Sequence, residues 1–163
     1  MNQFANALGK KFIENKDAIR IRSFELGGHT FKVKIPLTSD HEAMQEKIKI
    51  LDESVIQKYY NDLSKPFLDN KIEFEKEKDV VFKEDDILLK GTSLKETAKN
   101  KAITENRILE LFKLIVPEEA NFDMSTITYQ MVEELFPFSV QLQVMESIND
   151  VIAPSYKAAK GKS

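Results

Sequence analysis

The clearest pattern along the chain is an alternation of apolar and polar residues between Ile19 and Ile35. A Gly27-Gly28 pair divides this stretch, and paired glycines adopt the positive φ angles that a tight two-residue turn requires. The apolar positions that share one face are Phe24, Leu26, Phe31, Val33 and Ile35. The pattern predicts a β-hairpin that needs a helix to cover this face, because an isolated hairpin is only marginally stable in water.

A pattern of helical period follows the hairpin. Ser39 and Glu42 have the spacing of a capping box, which places the start of a helix near Asp40. Lys65-Pro66 is expected to end it, because proline cannot continue the hydrogen-bond ladder. Between these limits the apolar stripe consists of Met44, Ile48, Leu51, Val55, Tyr59 and Leu63. We expect this long amphipathic helix to pack on the hairpin, so that residues 19–65 form one sub-part.

Residues 66–91 are dominated by charge and leave three alternatives open: two short strands, a continuation of the helix, or a charged connector. We favour short extended segments around residues 80–82 and 87–89. Alternation this brief does not decide between the alternatives.

The remaining chain, residues 92–153, predicts a helical part. Ser93 and Glu96 form a second capping-box pattern, which opens a helix that is expected to end at Ile115 or Val116. Further helices are predicted from about Ser125 to Leu135 and from Pro137 onwards. Residues 157–163 offer no apolar side chain larger than alanine, so residues 154–163 are expected to form a flexible tail.

These patterns together predict a single α+β domain over residues 1–163 that is mostly α-helical. Its parts would be an N-terminal β-hairpin packed on a long amphipathic helix, followed by a small helical bundle. The 42% apolar content, with eleven Phe, agrees with a protein that has a real core.

Composition then narrows the classes of function. The chain has no Cys, which excludes a disulfide framework and a cysteine nucleophile and fits a reducing cytoplasm. Charged residues interrupt every apolar run near the N-terminus, so we expect neither a signal peptide nor a membrane span. The net charge of −3 comes from intermixed acids and bases, so nucleic acid and membrane are not expected as partners.

Candidate chemistry is sparse. His29 and His41 are the only histidines of the chain, and together with Asp40 they could form a metal or acid–base site. Two imidazoles without a thiolate are, however, a poor ligand set for a metal. Neither a phosphate-binding loop nor a Gly-x-Ser-x-Gly nucleophile motif is present. Paired acids lie in charged segments, where exposure to solvent explains them. We therefore expect no enzymatic activity, no cofactor and no metal.

Two blocks of sequence resemble tail assembly chaperones of long-tailed (siphovirus-type) bacteriophages. The first is residues 23–39, SFELGGHTFKVKIPLTS, in which a hairpin ends in a Pro-Leu-Thr turn before an amphipathic helix. The second is residues 133–140, EELFPFSV, with a helix after it and Ala-Pro at residues 153–154. The two blocks cover roughly a third of the chain, and residues 66–120 add nothing to the resemblance.

The resemblance implies a protein that binds the tape measure protein, keeps it soluble and helps recruit tail tube subunits. It would act in the host cytoplasm during infection and be absent from the mature virion. Such a role needs an apolar or aromatic groove for a helical client, and the predicted lining residues are Phe112, Tyr129, Phe136 and Phe138. The sequence leaves a homo-oligomer open, and the alternative function is a structural minor tail or head–tail connector protein.

Overall fold

A computed structural model describes residues 2–153 of the chain, so the predicted tail at 154–163 lies outside the described residues. The fold is α+β and mostly α-helical, as the sequence predicts. The described residues divide into two compact units. Unit 1 contains residues 2–44 and 108–153, and unit 2 contains residues 45–107. The prediction of a single domain over residues 1–163 stays a prediction.

Within residues 2–153 there are eight α-helices and six strands, together with one 3₁₀ turn at Met124–Thr126. The helices are α1 (Gln3–Leu8), α2 (Lys10–Ile19), α3 (Thr38–Lys49), α4 (Glu53–Asp69), α5 (Lys71–Phe74), α6 (Leu94–Phe112), α7 (Tyr129–Leu135) and α8 (Phe138–Ile152). The strands are β1 (Ile21–Leu26), β2 (His29–Lys34), β3 (Val80–Phe82), β4 (Ile87–Leu89), β5 (Thr92–Ser93) and β6 (Ile115–Val116). Among the described helices, none is long and apolar enough to span a membrane.

The predicted hairpin is confirmed as β1 and β2 of unit 1. Gly27 and Gly28 have φ of 58° and 79°, the left-handed values that the turn was expected to need. Phe24 pairs with Phe31 across the hairpin, and their rings stack with centroids 5.2 Å apart. Val33 is completely buried on the same face. The apolar side of the hairpin is thus the side that joins the core.

The helix that makes the main contact with the hairpin is α8, not the helix that follows the hairpin in sequence. Arg22 projects from the apolar face of β1 and its guanidinium Nη1 donates to the carbonyl of Val151 at 2.7 Å. The predicted partner is not one continuous helix, since it is interrupted between Lys49 and Glu53, and the apolar face of α8 joins the core of unit 1 instead. Val144 and Ile148 of α8 are both fully buried.

A third strand, which the sequence did not indicate, completes the sheet of unit 1. Helix α6 ends at Phe112 rather than at Ile115 or Val116, and those two residues form β6 beside β2. The order of the sheet is β1-β2-β6, and both pairings are antiparallel. Strand pairing with β2 therefore replaces the last helical turn that the apolar periodicity predicted.

The helix expected between Asp40 and Pro66 is wrong in three respects. It begins at Thr38, so Ser39 lies inside the first turn instead of capping it. It also breaks between α3 and α4, where the carboxylate of Asp52 accepts from the N–H of Ser54 at 2.9 Å and caps α4. Finally, α4 continues past Pro66 to Asp69.

A side chain of α6 stabilises the break between α3 and α4, and the residues involved all belong to unit 2. The side-chain amide of Asn106 donates to the carbonyls of Ile48 and Ile50, at 3.2 and 2.9 Å. These are carbonyls that the end of α3 leaves without helical donors. A residue more than fifty positions away in sequence thus stabilises the end of α3, which is why local periodicity did not reveal it.

Unit 2 also contains the second sheet, with the order β3-β4-β5. The predicted extended segments at 80–82 and 87–89 are confirmed as β3 and β4, and they pair antiparallel. The capping prediction for α6 is confirmed as well, since the hydroxyl of Ser93 accepts from the N–H of Glu96 at 3.1 Å. The buried apolar residues of unit 2 are Ile48, Ile87, Leu94, Ala98 and Ala102.

Candidate functional site

An apolar surface lies exposed where α7 meets α8 in unit 1. Its members are Met131, Leu135 and Phe138, whose exposed fractions are 41%, 77% and 53%. Met131 and Leu135 are one turn apart on α7 and therefore lie on one side of that helix. Phe138 follows Leu135 by three residues, so their Cα atoms are at most about 11 Å apart. We call the exposed apolar surface formed by these three residues the α7–α8 patch.

Helix α7 is held at both ends by local hydrogen bonds. The hydroxyl oxygen of Thr128 accepts from the N–H of Met131 at 3.3 Å and caps the start of the helix. At the other end, the N–H of Phe136 donates to the carbonyl of Val132 at 2.9 Å. Pro137 then starts α8, and its carbonyl accepts from the N–H of Gln141 at 2.9 Å. The patch thus lies on the short helix α7 and on the first residue of the longer helix α8.

A buried glutamine fixes the angle between these helices. Gln141 is 1% exposed; its Oε1 accepts from the hydroxyl of Tyr129 at 2.6 Å, and its Nε2 donates to the carbonyl of Phe136 at 2.8 Å. A buried amide that is bonded at both ends is costly to misplace, because each lost bond leaves a desolvated polar group. The side chain of Gln141 therefore ties α7, the connecting turn and α8 into one rigid corner.

The four residues predicted to line a groove take different positions around this corner. Phe112 is 3% exposed and belongs to the core, where its ring meets that of Phe136 edge-on at 5.4 Å. Phe136 and Tyr129 are half-buried, and Phe138 is exposed. The structure brings Phe112 and Phe136 into contact, and Gln141 links Tyr129 to Phe136. Their role in binding a partner stays a prediction.

The helix predicted from about Ser125 to Leu135 has Met131, Val132 and Leu135 among its apolar residues. In the structure Val132 takes the buried position on α7 at 4% exposure, and Leu135 is among the most exposed apolar residues of the described chain. Met131, Leu135 and Val132 lie within about 100° of one another around the helix, which is the width of an ordinary buried face, so the apolar pattern gives no signal that two of them are exposed.

The surroundings of the patch are acidic. Residues 114–153 contain seven Asp or Glu and no Lys or Arg. Glu134 is exposed and follows Met131 by three positions, and Glu146 is exposed and follows Leu142 by four. Lys113, just before this stretch, is only 23% exposed and forms an ion pair with Glu110 at 3.2 Å. The patch is therefore apolar with an acidic margin.

Two open cavities of about 460 and 420 Å³ flank the β2–β6 pair in unit 1. The cations that line the second cavity have carboxylates close by: Arg20 lies 3.7 Å from Asp40, and Lys34 lies 3.7 Å from Asp17. Paired charges of this kind leave no convergent set of groups for acid–base or nucleophilic chemistry.

The two histidines line different cavities. His29 lines the cavity of about 460 Å³ and meets the ring of Phe31 edge-on at 4.6 Å. His41 lines a smaller cavity of about 220 Å³ beside Ile152. Among residues 2–153, no group of three His, Asp or Glu side chains has the arrangement of a metal site.

In unit 2 the polar residues form a structural network around Asp86. Its carboxylate accepts from the N–H groups of Ile87 and Lys95, at 2.8 and 3.2 Å, and from the hydroxyl of Ser93. Burial tends to raise the pKa of Asp86, but these hydrogen bonds outweigh it and hold the pKa below its ordinary value. Burial also raises the pKa of nearby Tyr60. The network joins β4 to the start of α6, so the hydrogen bonds of Asp86 stabilise this part of unit 2.

Comparison of the chain with protein-family models, with curated proteins and with solved structures finds no match.

Proposed function

We propose that the chain is a tail assembly chaperone of a long-tailed phage, which binds an apolar helical segment of the tape measure protein. It keeps that protein soluble and helps recruit tail tube subunits in the host cytoplasm, and it is absent from the mature virion. The observation that carries the proposal is the exposed α7–α8 patch. The same patch overlaps residues 133–140, one of the two blocks that resemble such chaperones.

The physical argument concerns exposure. An apolar side chain such as Leu135, with 77% of its surface exposed, forgoes the roughly 1.5–3 kcal/mol that full burial of a Leu contributes. Contiguous apolar surfaces on a rigid support are typical of protein-binding sites. A helical client that lays its apolar face on Met131, Leu135 and Phe138 would bury them together. Many copies on one long client would each need only modest affinity.

The proposal is tested by co-expression with the tape measure protein encoded beside this chain. The wild-type chain should make that protein soluble and co-elute with it in a complex of several copies. A Leu135→Glu/Phe138→Glu variant should lose the complex, because two charges in the patch cannot be desolvated without cost. The matched control is Leu8→Glu/Phe4→Glu, which changes exposed residues of α1 in the same unit and should keep the complex.

Two results would contradict the proposal. An insoluble tape measure protein, together with this chain at fixed copy number in purified particles, would assign it as a structural minor tail or head–tail connector protein. A complex that survives the patch variant, but not the control variant, would move the binding surface to α1.

A further inference from the structure

We infer that the α7–α8 patch selects an amphipathic helix whose apolar stripe is flanked by Lys or Arg. This inference rests on the proposed function and names the chemical class of its client segment. The inference is drawn from the acidic residues at the margin of the patch, Glu134 and Glu146, rather than from the apolar residues themselves.

The shape of the patch favours a helix as its occupant. Met131 and Leu135 form one step of a helical ridge, and Phe138 begins a second ridge that Leu142 continues one turn later along α8. Leu142 is half-buried, so the apolar strip runs from exposed residues towards the core. A helix that presents apolar residues every three or four positions matches a strip of this kind.

The negative charge of the margin then indicates which residues should flank the apolar stripe of the client helix. Glu134 lies beside Met131 and Leu135 on the solvent side of α7, and Glu146 lies beside Leu142 on α8. Glu134 accepts a hydrogen bond from Gln130 at 3.1 Å, which leaves its negative charge uncompensated. Residues 114–153 provide no basic side chain to neutralise either glutamate. Opposite charge on the client is the complement that this margin lacks.

Among the described residues, Lys113 and Arg22 are the cations that contact groups at or beside the two ends of this acidic stretch. Lys113 forms an ion pair with Glu110 at 3.2 Å. Arg22 donates to the carbonyl of Val151, at the opposite end of α8 from Phe138. The charge of Lys113 is thus balanced by Glu110, whereas Arg22 keeps its charge but lies at the end of α8 away from the α7–α8 patch.

The same charges argue against a second copy of this chain bound patch to patch. A two-fold contact places the same surface on both subunits, so Glu134 and Glu146 of each copy would meet like charges. Like-charge pairs across an interface are unfavourable and suppress wrong partners. A client helix with glutamate flanks is disfavoured for the same reason.

Three synthetic helical peptides with one common apolar stripe test the inference, with Lys, Gln or Glu at the flanking positions. Binding to the full chain is measured by fluorescence anisotropy. With two margin glutamates, and about 0.2–1 kcal/mol for each exposed ion pair, the Lys peptide should bind about 2- to 30-fold more tightly than the Gln peptide. The Glu peptide should bind most weakly. The differences should shrink at high salt, because exposed charges are screened.

Charge reversal supplies the second arm of the test. Glu134→Lys/Glu146→Lys leaves every apolar residue in place and should reverse the order of the three peptides. The matched control Glu14→Lys/Glu25→Lys changes two exposed glutamates of unit 1 outside the patch and should leave the order unchanged. Circular dichroism establishes that each variant is folded.

The outcomes separate this inference from the proposed function. Equal binding of all three peptides, with the tape measure protein still made soluble in co-expression, would overturn the inference and leave the function standing. An unchanged order after charge reversal would overturn it as well. If no peptide binds and the tape measure protein stays insoluble, both the inference and the proposed function fail.

Discussion

The corner that supports the patch depends on one buried side chain, so replacing Gln141 by Leu is the sharpest test of the structure. The change removes the hydrogen bond from Tyr129 at 2.6 Å and the bond to the carbonyl of Phe136 at 2.8 Å. The two bonds contribute about 1 kcal/mol each, and a carbonyl left buried without a donor costs about 1–3 kcal/mol. Leucine is apolar and recovers part of this loss. We expect the free energy of unfolding to fall by about 3 kcal/mol.

Thermal and urea denaturation followed by circular dichroism measure this loss. For a chain of this length, about 3 kcal/mol corresponds to a fall in Tm of roughly 6–12 °C. Tyr129→Phe removes only one of the two bonds and should cost about 1 kcal/mol, with little further loss when it is combined with Gln141→Leu. Gln143→Leu, at an exposed position of the same helix, should stay within about 0.5 kcal/mol of wild type. Equal stability of the two Gln→Leu variants would refute the reasoning.

Three further predictions concern the rest of the fold. Asp86→Asn should flatten the dependence of unfolding free energy on pH: the lowered pKa of Asp86 means that its contribution is complete at neutral pH and is lost as pH falls below about 4. Asp85→Asn, at an exposed neighbour, should keep the wild-type dependence in the same acid titration. Gly28→Ala should cost about 1 kcal/mol in urea denaturation because φ is 79° there, and an unchanged midpoint would contradict the turn geometry. Pro66→Ala should raise the free energy of unfolding by about 1–3 kcal/mol, since proline lies inside α4; a loss of stability would contradict a continuous helix.

Much of the fold could be predicted where the signal is local. The hairpin follows from alternation and a Gly-Gly turn, and the start of α6 follows from the Ser93 and Glu96 pattern. In each case the residues that decide the structure lie within a few positions of one another. Local propensity and final structure therefore agree.

The secondary-structure predictions that are wrong concern segments whose conformation is determined by residues far away in the sequence. Strand β6 replaces the end of a predicted helix because β2 offers it a pairing edge, and β2 lies some eighty positions earlier in the chain. The break after α3 is stabilised by Asn106, again from far along the sequence. Tertiary interactions of this kind override helical periodicity.

The candidate site was predictable only in part. Phe138 is exposed, but Phe112 is a core residue, because the same aromatic side chains fill cores and interfaces. Met131 and Leu135 are two of the apolar residues of a predicted helix, and their exposure depends on how α7 turns against α8. The angle between α7 and α8 is fixed by Gln141, a polar residue whose burial cannot be predicted from the pattern of apolar residues.

Site-specific photo-crosslinking tests the central claim most directly. A benzophenone-bearing phenylalanine analogue is placed at Phe138, or at Phe4 as the exposed control, in the chain co-expressed with the tape measure protein. The account predicts that irradiation links the tape measure protein to position 138 and not to position 4. A complex that crosslinks through position 4 and not through position 138 would contradict the claim that the α7–α8 patch holds the client.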